Sequence, residues 1–197
     1  VAAGVRVPGA AFARAIGSRI LCAAALADRC GDEPVLISAY GSDVGRLVRE
    51  HMPTLFLEHD SRALPVDFRR CRDSTCGDGS ARGLVSRTDA GLPVTAFVHV
   101  VDCRDACSRS RAGSVYIQYW LYYTFNDFTD KHESDWEMIQ VDFDVPTPRR
   151  ALNSDPYEVD AAQHAGGERS AWTDPKLEKR GTHPVIYAAT GSHADYF

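Results

Sequence analysis

The sequence has no excess of basic charge, no long apolar run and no internal repeat. Its 22 Lys and Arg stand against 27 Asp and Glu, a formal net charge of -5. A nucleic-acid-binding surface calls for a basic surplus instead. The longest apolar stretch, Ile20 to Ala27, falls far short of the ~20 residues that cross a bilayer as a helix. The six cysteines never take the C-x-x-C spacing of zinc knuckles or thioredoxin-like sites. No G-x-S-x-G nucleophile turn and no phosphate-cradling loop is present. Gly77-Asp78-Gly79-Ser80 reads only as a loop beside Cys76. The chain starts at Val1 rather than Met and ends at Phe197 inside a motif-like run, so a fragment or processed chain is expected.

What is present suits a globular protein. The 197 residues are 44% hydrophobic, 25% charged and 10% aromatic, which excludes a disordered or fibrous chain and fits one domain, or one domain with an appended segment. The cysteines form three close pairs, Cys22 with Cys30, Cys71 with Cys76 and Cys103 with Cys107. Set near Gly, Asp and Ser, they read as disulfides closing small loops in an oxidising compartment, with reduced structural thiols as the alternative.

Two helices are expected. Residues 10–28 are Ala-rich, with Phe12, Ile16, Ile20 and Ala23 at helical spacing. A second helix should run from Ser42 to Met52, capped by Ser42 or Asp43 and stopped by Pro53. From Thr54 the texture becomes that of strands: Thr54 to Leu57, Val94 to Val101, Val115 to Thr124, Trp136 to Phe143 and Pro184 to Thr190. Segments 72–91 and 144–182 read as loop-rich. Strands without long intervening helices predict a mainly β protein, an antiparallel β-sandwich over 53–197 with an N-terminal helical segment over 1–52. The short link between Val115–Thr124 and Trp136–Phe143 predicts that these strands pair in one sheet.

The most informative run is His132-Glu133-Ser134-Asp135-Trp136-Glu137. If a strand begins near Asp135, Asp135 and Glu137 share one face and Trp136 takes the other. Ile139 and Val141 follow on the carboxylate face, which places both acids at the edge of a core. A carboxylate pair there is costly unless something positive compensates it. A divalent cation would do so, and His132 can reach the same spot from the preceding loop; the alternative is a solvated strand end. Two further histidines of the seven lie in glycine settings, His164 before Gly166-Gly167 and His193 after Gly191-Ser192, straight after the last expected strand. Such loops let backbone approach a ligand closely.

These blocks together resemble a known family. Tyr119-Trp120-Leu121-Tyr122-Tyr123-Thr124-Phe125-Asn126 is similar to its aromatic strand, and His132-x-x-Asp135-Trp136-Glu137 to its signature. Gln163-His164-x-Gly166-Gly167-Glu168 with Trp172, and His183-Pro184-Val185-Ile186-Tyr187 through Gly191-Ser192-His193-Ala194-Asp195-Tyr196-Phe197, match further blocks. Pro53 to Phe68 is similar to its opening strand. The family is the vacuolar protein sorting-associated protein 62-related group, over roughly residues 53–197. A more distant likeness is to the necrosis-inducing NLP-type toxins, which share the H-x-x-D-W-E arrangement. That resemblance implies a β-sandwich with a divalent cation held by His132, Asp135 and Glu137, an additional acidic ligand such as Asp127 or Asp130, and recognition of lipid headgroups. Lys131 replaces the toxins' glycine, and Ser134 stands where the first family commonly has glycine.

The leading expectation is a secreted or surface-exposed metal-binding β-sandwich that recognises a polar ligand, a glycan or a lipid headgroup. An oxygen-rich set with one His suits Mg, Ca or Mn; adding His164 or His193 tilts it toward Zn or Fe. A metal-assisted hydrolase, with His164 or His193 as acid–base, and a structural module without metal are the alternatives.

Overall fold

The structure, a computed structural model, describes residues 5–6, 35–57, 64–66, 68, 95–102, 114–164 and 166–197. The expected helix over 10–28 and all six cysteines with their pairings lie outside the described residues.

The core is made by two long strands. β4 (Val115–Asn126) and β5 (His132–Phe143) form an antiparallel hairpin with Tyr119 opposite Ile139 and Tyr123 opposite Asp135. Their residues alternate as the pleat requires. Val115, Ile117, Tyr119, Leu121, Ile139, Val141 and Phe143 are fully buried. Trp136, Gln140 and Asp142 take the opposite face. The pairing predicted from the short connection is therefore present. β3 (Ala96–Asp102) flanks β4, while β6 (Glu158–Gln163) and β7 (Gly166–Ala171) continue the sheet beyond β5.

The second sheet has the order β1 (Val5–Arg6), β2 (Thr54–Leu57), β9 (His183–Ala188) and β10 (Asp195–Tyr196), with β8 (Lys179–Arg180) also pairing β9. Its apolar residues Leu55, Leu57, Ile186 and Ala188 join those of β4 and β5 in one core. The protein is mainly β and its pairs are antiparallel, as expected, except that β2 and β9 run parallel.

Helix α1 extends over Val35–Glu50, so it begins well before the predicted start at Ser42. The apolar spacing of Ile37, Tyr40, Val44 and Leu47 continues back through Gly41, whose cost of about 1 kcal/mol inside a helix does not stop it. Ser42 and Asp43 are therefore interior positions rather than caps. Leu47 is fully buried, and the Tyr119 hydroxyl donates to the Val48 carbonyl at 2.8 Å, tying α1 to β4.

Residues 144–182, expected to be loop-rich, contain β6, β7, β8 and a single turn of helix, α2 (Pro148–Ala151). Thr147 caps α2 by accepting from the Arg150 amide. β6 buries only Val159 and Ala161, and β7, at Gly166–Ala171, is almost wholly exposed. Neither has the apolar alternation that marks a strand in sequence. Pairing of β6 with β5, and of β7 with β6, makes them strands.

Candidate functional site

β5 places Asp135 and Glu137 on the inward face, below Ile139 in the core stripe, with Trp136 outside, half-exposed against Tyr122 at 4.9 Å. Asp135 and Glu137 are 4% and 2% exposed. The backbone reaches this point through Ser134, a non-glycine residue at φ 65, where its hydroxyl contacts the Tyr122 hydroxyl at 3.1 Å. That left-handed conformation favours glycine.

His193 is the direct partner of Asp135. Its Nδ1 donates to Asp135 Oδ2 at 2.8 Å, and its ring stacks on Tyr123 with centroids 4.0 Å apart and 5° between planes. His193 itself sits at φ 56. The hydrogen bond, the stack and its amide donating to the Ala189 carbonyl at 3.1 Å hold it in that strained conformation. The turn beneath it uses Gly191 at φ 85, where a Cβ would lie 2.9 Å from the Asp127 carbonyl oxygen. Glycine therefore lets the β4–β5 turn lie against the C-terminal loop, fixed by the Asp127 amide donating to Gly191 O.

A third carboxylate joins from β10. Asp195 is 0% exposed. Among the described residues neither of its carboxylate oxygens has a hydrogen-bond partner, and the same holds for Glu137 Oε1 and the Tyr123 hydroxyl. Burial, and then the charge of Asp135, push Glu137 up from 4.5 to about 8. Burial, Glu137 and Asp135 hold Asp195 well above the usual carboxylate range. Burial and all three acids raise Tyr123 in the same way. Near neutral pH this pocket of acids either keeps protons or needs a cation.

His132 is sited at the rim. Asp130, in the β4–β5 turn, His132, opening β5, and His164, in the β6–β7 turn, present ligand-type atoms that all lie within 4.8 Å of one another. His164 Nε2 and Asp130 Oδ2 are 2.6 Å apart, and the His132 and His164 rings are 5.4 Å apart at 30°. By this measure His132 groups with Asp130 and His164, while Asp135 and Glu137 group by burial and mutual charge with Asp195. Each added histidine thus touches a different member of the sequence-derived trio. Asp127 is salt-bridged to Lys131 at 2.8 Å and belongs to neither set. An open cavity of about 560 Å³ lies beside the rim, lined by Asn126, Asp130, His164, Ser192, Ala194 and Tyr196 among others.

The sequence reading did not weigh Asp195 as a site residue. Its only signal was its place two residues after His193. A second acidic group, Asp142, Glu158 and Asp160, was also missed. It lies on the outer face, where Gln140 donates to Asp160 at 3.2 Å and Arg169 approaches Glu158 and Asp160 at 3.7 and 3.6 Å. Burial, and then Asp160, push Asp142 up to about 7. No helix among the described residues is long and apolar enough to cross a membrane.

No family model matches the chain, so the resemblance to the vacuolar protein sorting-associated protein 62-related group gains no support there. No curated protein matches either. Solved structures do. The protein is similar to NLPPya in complex with mannosamine, with a TM-score of 0.52 at 18% identity, covering 80% of this chain and 68% of that one. The glucosamine complex of NLPPya matches equally well, with a TM-score of 0.52 at 17% identity. Necrosis and Ethylene inducing Protein 2, from the causal agent of cocoa's Witches Broom disease, gives a TM-score of 0.50 at 16% identity, covering 77% of this chain and 66% of that one. What this chain has in common with them is the fold of the NLP toxins.

Proposed function

We propose that the protein is an exported β-sandwich that holds a hard divalent cation on buried carboxylates and recognises a polar ligand, a glycan or a lipid headgroup, in the adjoining cavity. The observation that carries the reading is the set of buried acids. Asp135, Glu137 and Asp195 are at most 4% exposed, and three of their oxygens are unpartnered. Carboxylates cluster in a core at a cost of several kcal/mol each unless a cation compensates them. An all-oxygen donor set suits Mg, Ca or Mn. Asp135 and Glu137 are the proposed ligands, with Asp195 completing the set, and His193 orients Asp135 from behind. His132, expected in this set, is grouped with Asp130 and His164.

The ligand class follows from the cavity and from kinship of fold. The cavity is lined by amide, hydroxyl, imidazole and aromatic groups, which suit a polyol. One protein of the same fold, NLPPya, carries amino sugars in two complexes. Export is supported by the close spacing of the cysteines in the sequence and by likeness to a toxin fold.

The test is thermal unfolding of chelator-stripped protein with and without Ca, Mg or Mn. Binding to the native state raises the melting temperature by mass action. The expected result is a metal-dependent rise that Asp135→Asn abolishes, with binding of glucosamine or mannosamine measured calorimetrically in the metal-loaded form. A melting temperature indifferent to all three ions refutes the cation, and sugar binding unchanged in Tyr196→Ala refutes the cavity.

A further inference from the structure

We infer that the outer face of the β3–β7 sheet docks a linear glycan bearing free amines, stacked on Trp120 and Trp136 and held along Gln118, Gln140 and Asp160. The buried acids use the inward half of β5. Its outward half carries Trp136, and β4 likewise turns Trp120 and Tyr122 outward, opposite Met138 and Trp136. Trp136 is 41% exposed, yet it is propped on every side. The ring centroids of Tyr122, Phe68, Phe97 and Trp120 lie 4.9, 5.6, 5.8 and 6.4 Å from its own. An exposed indole fixed by its neighbours offers a flat apolar face with little side-chain freedom left to lose on binding. Stacking against a pyranose ring needs such a face.

Farther along the strands runs a polar row with one residue from each of five strands: His99, Gln118, Gln140, Asp160 and Arg169. These side chains are joined in order. His99 Nδ1 lies 3.2 Å from Gln118 Oε1, and Gln118 donates to Gln140 at 2.8 Å. Gln140 donates to Asp160 at 3.2 Å, and Arg169 approaches Asp160 at 3.6 Å. With strands about 4.8 Å apart, the row spans about 19 Å, enough for a chain of sugar rings rather than one. The Trp120 indole N–H faces Gln118 Oε1 at 3.4 Å, so the aromatic platform and the row are contiguous. Each amide nitrogen of the row has a second N–H to offer a hydroxyl.

Charge and geometry select the occupant. Asp142 and Glu158 adjoin Asp160 at the β6 end, with carboxylate oxygens of the three within 4.8 Å of one another. Arg169 approaches Glu158 and Asp160 at 3.7 and 3.6 Å, so three acids stand against one guanidinium and the face keeps a negative excess. Like charges this close are relieved by a cation. The backbone groups of the inner strands are engaged in ladders on both sides, and a peptide that adds as a strand needs an edge instead of a face. A glycan chain with ammonium groups meets both ends of the surface, its rings on the indoles and its charge beside the carboxylates. This face lies across the sheet from Asp135 and Glu137, holds none of the cavity residues, and does not rest on the function proposed above.

The test is calorimetric titration with a β-linked glucosamine hexamer, a glucose hexamer and a lysine hexamer, with and without chelator. The glucosamine hexamer should bind most tightly of the three, equally well in chelator, and should shift tryptophan emission. Trp136→Ala should weaken it by on the order of tenfold or more, and Trp136→Phe, which keeps a ring, should recover part of the loss. Asp160→Asn, which keeps an acceptor for Gln140, should erase the preference for the glucosamine over the glucose hexamer. Tyr196→Ala, in the cavity, should bind the hexamer as wild type does. Equal affinity in wild type and Trp136→Ala, a lysine hexamer bound as tightly as the sugar, or a preference unchanged in Asp160→Asn would overturn the proposal. Binding lost in Tyr196→Ala or in chelator, with Trp136→Ala unaffected, would assign the sugar to the cavity and overturn it as well. Hexamer binding that depends on Trp136 in a protein indifferent to calcium would uphold this face and refute the buried cation.

Discussion

Glu137→Gln offers the most direct test of the buried acids. Gln has nearly the shape of Glu and cannot ionise. In the folded protein Glu137 is held at about 8 against an ordinary value of 4.5. The native state therefore binds more protons than the unfolded chain across that window. Stability from this group is complete below about 4.5 and is lost as pH rises through about 8. Integrating between pH 5 and pH 8 gives a loss of about 3.5 kcal/mol from Glu137 alone. Water entry makes this an upper bound. Asp195 and Asp142 are shifted in the same direction, so they steepen the decline and remain in the variant. The assay is urea unfolding in chelator at the two pH values. Wild type should lose stability between them. Glu137→Gln should lose less by up to that amount, and so be more stable than wild type at pH 8. Removing the Glu137 charge also relieves Asp195, which widens the gap. Added calcium should stabilise wild type at pH 8 and do little for the variant. An identical pH dependence in both proteins would refute the idea that Glu137 is buried among like charges.

Two smaller perturbations probe how the site is held. Gly191→Ala must adopt φ 85 with a Cβ 2.9 Å from the Asp127 carbonyl; a loss of about 1–3 kcal/mol in urea unfolding is expected, and an unchanged midpoint would mean the two loops are not packed as described. Tyr119→Phe removes the hydroxyl bound to Val48 O at 2.8 Å and should cost about 1 kcal/mol, with faster hydrogen exchange in α1; unaltered exchange there would show that this bond does not anchor the helix.

The strands were legible where both determinants of a strand were written into one segment. Val115 to Thr124 and Trp136 to Phe143 carry β-branched and aromatic residues in alternation, and the short link between them permits only a hairpin. The same alternation put Asp135 and Glu137 inward and Trp136 outward. β6 and β7 were not legible, because Glu158–Gln163 and Gly166–Ala171 owe their extended form to hydrogen bonds with a neighbour, and a neighbour is not a property of the segment. The early start of α1 was missed for a related reason: Ser42 and Asp43 favour a cap locally, and the longer apolar stripe overrules them.

The site divides in the same way. Periodicity determined which side of β5 the acids face, because side-chain direction in a strand repeats every two residues. What meets them there depended on the packing of distant segments. Folding brought His193, in the C-terminal loop, and Asp195, opening β10, onto Asp135 and Glu137. It also set His132 beside Asp130 and His164. Those partners are 58 residues from Asp135 in the case of His193. No local pattern fixes contacts at such separations; they arise when the two sheets close over a shared core, and only the tertiary structure records how they close.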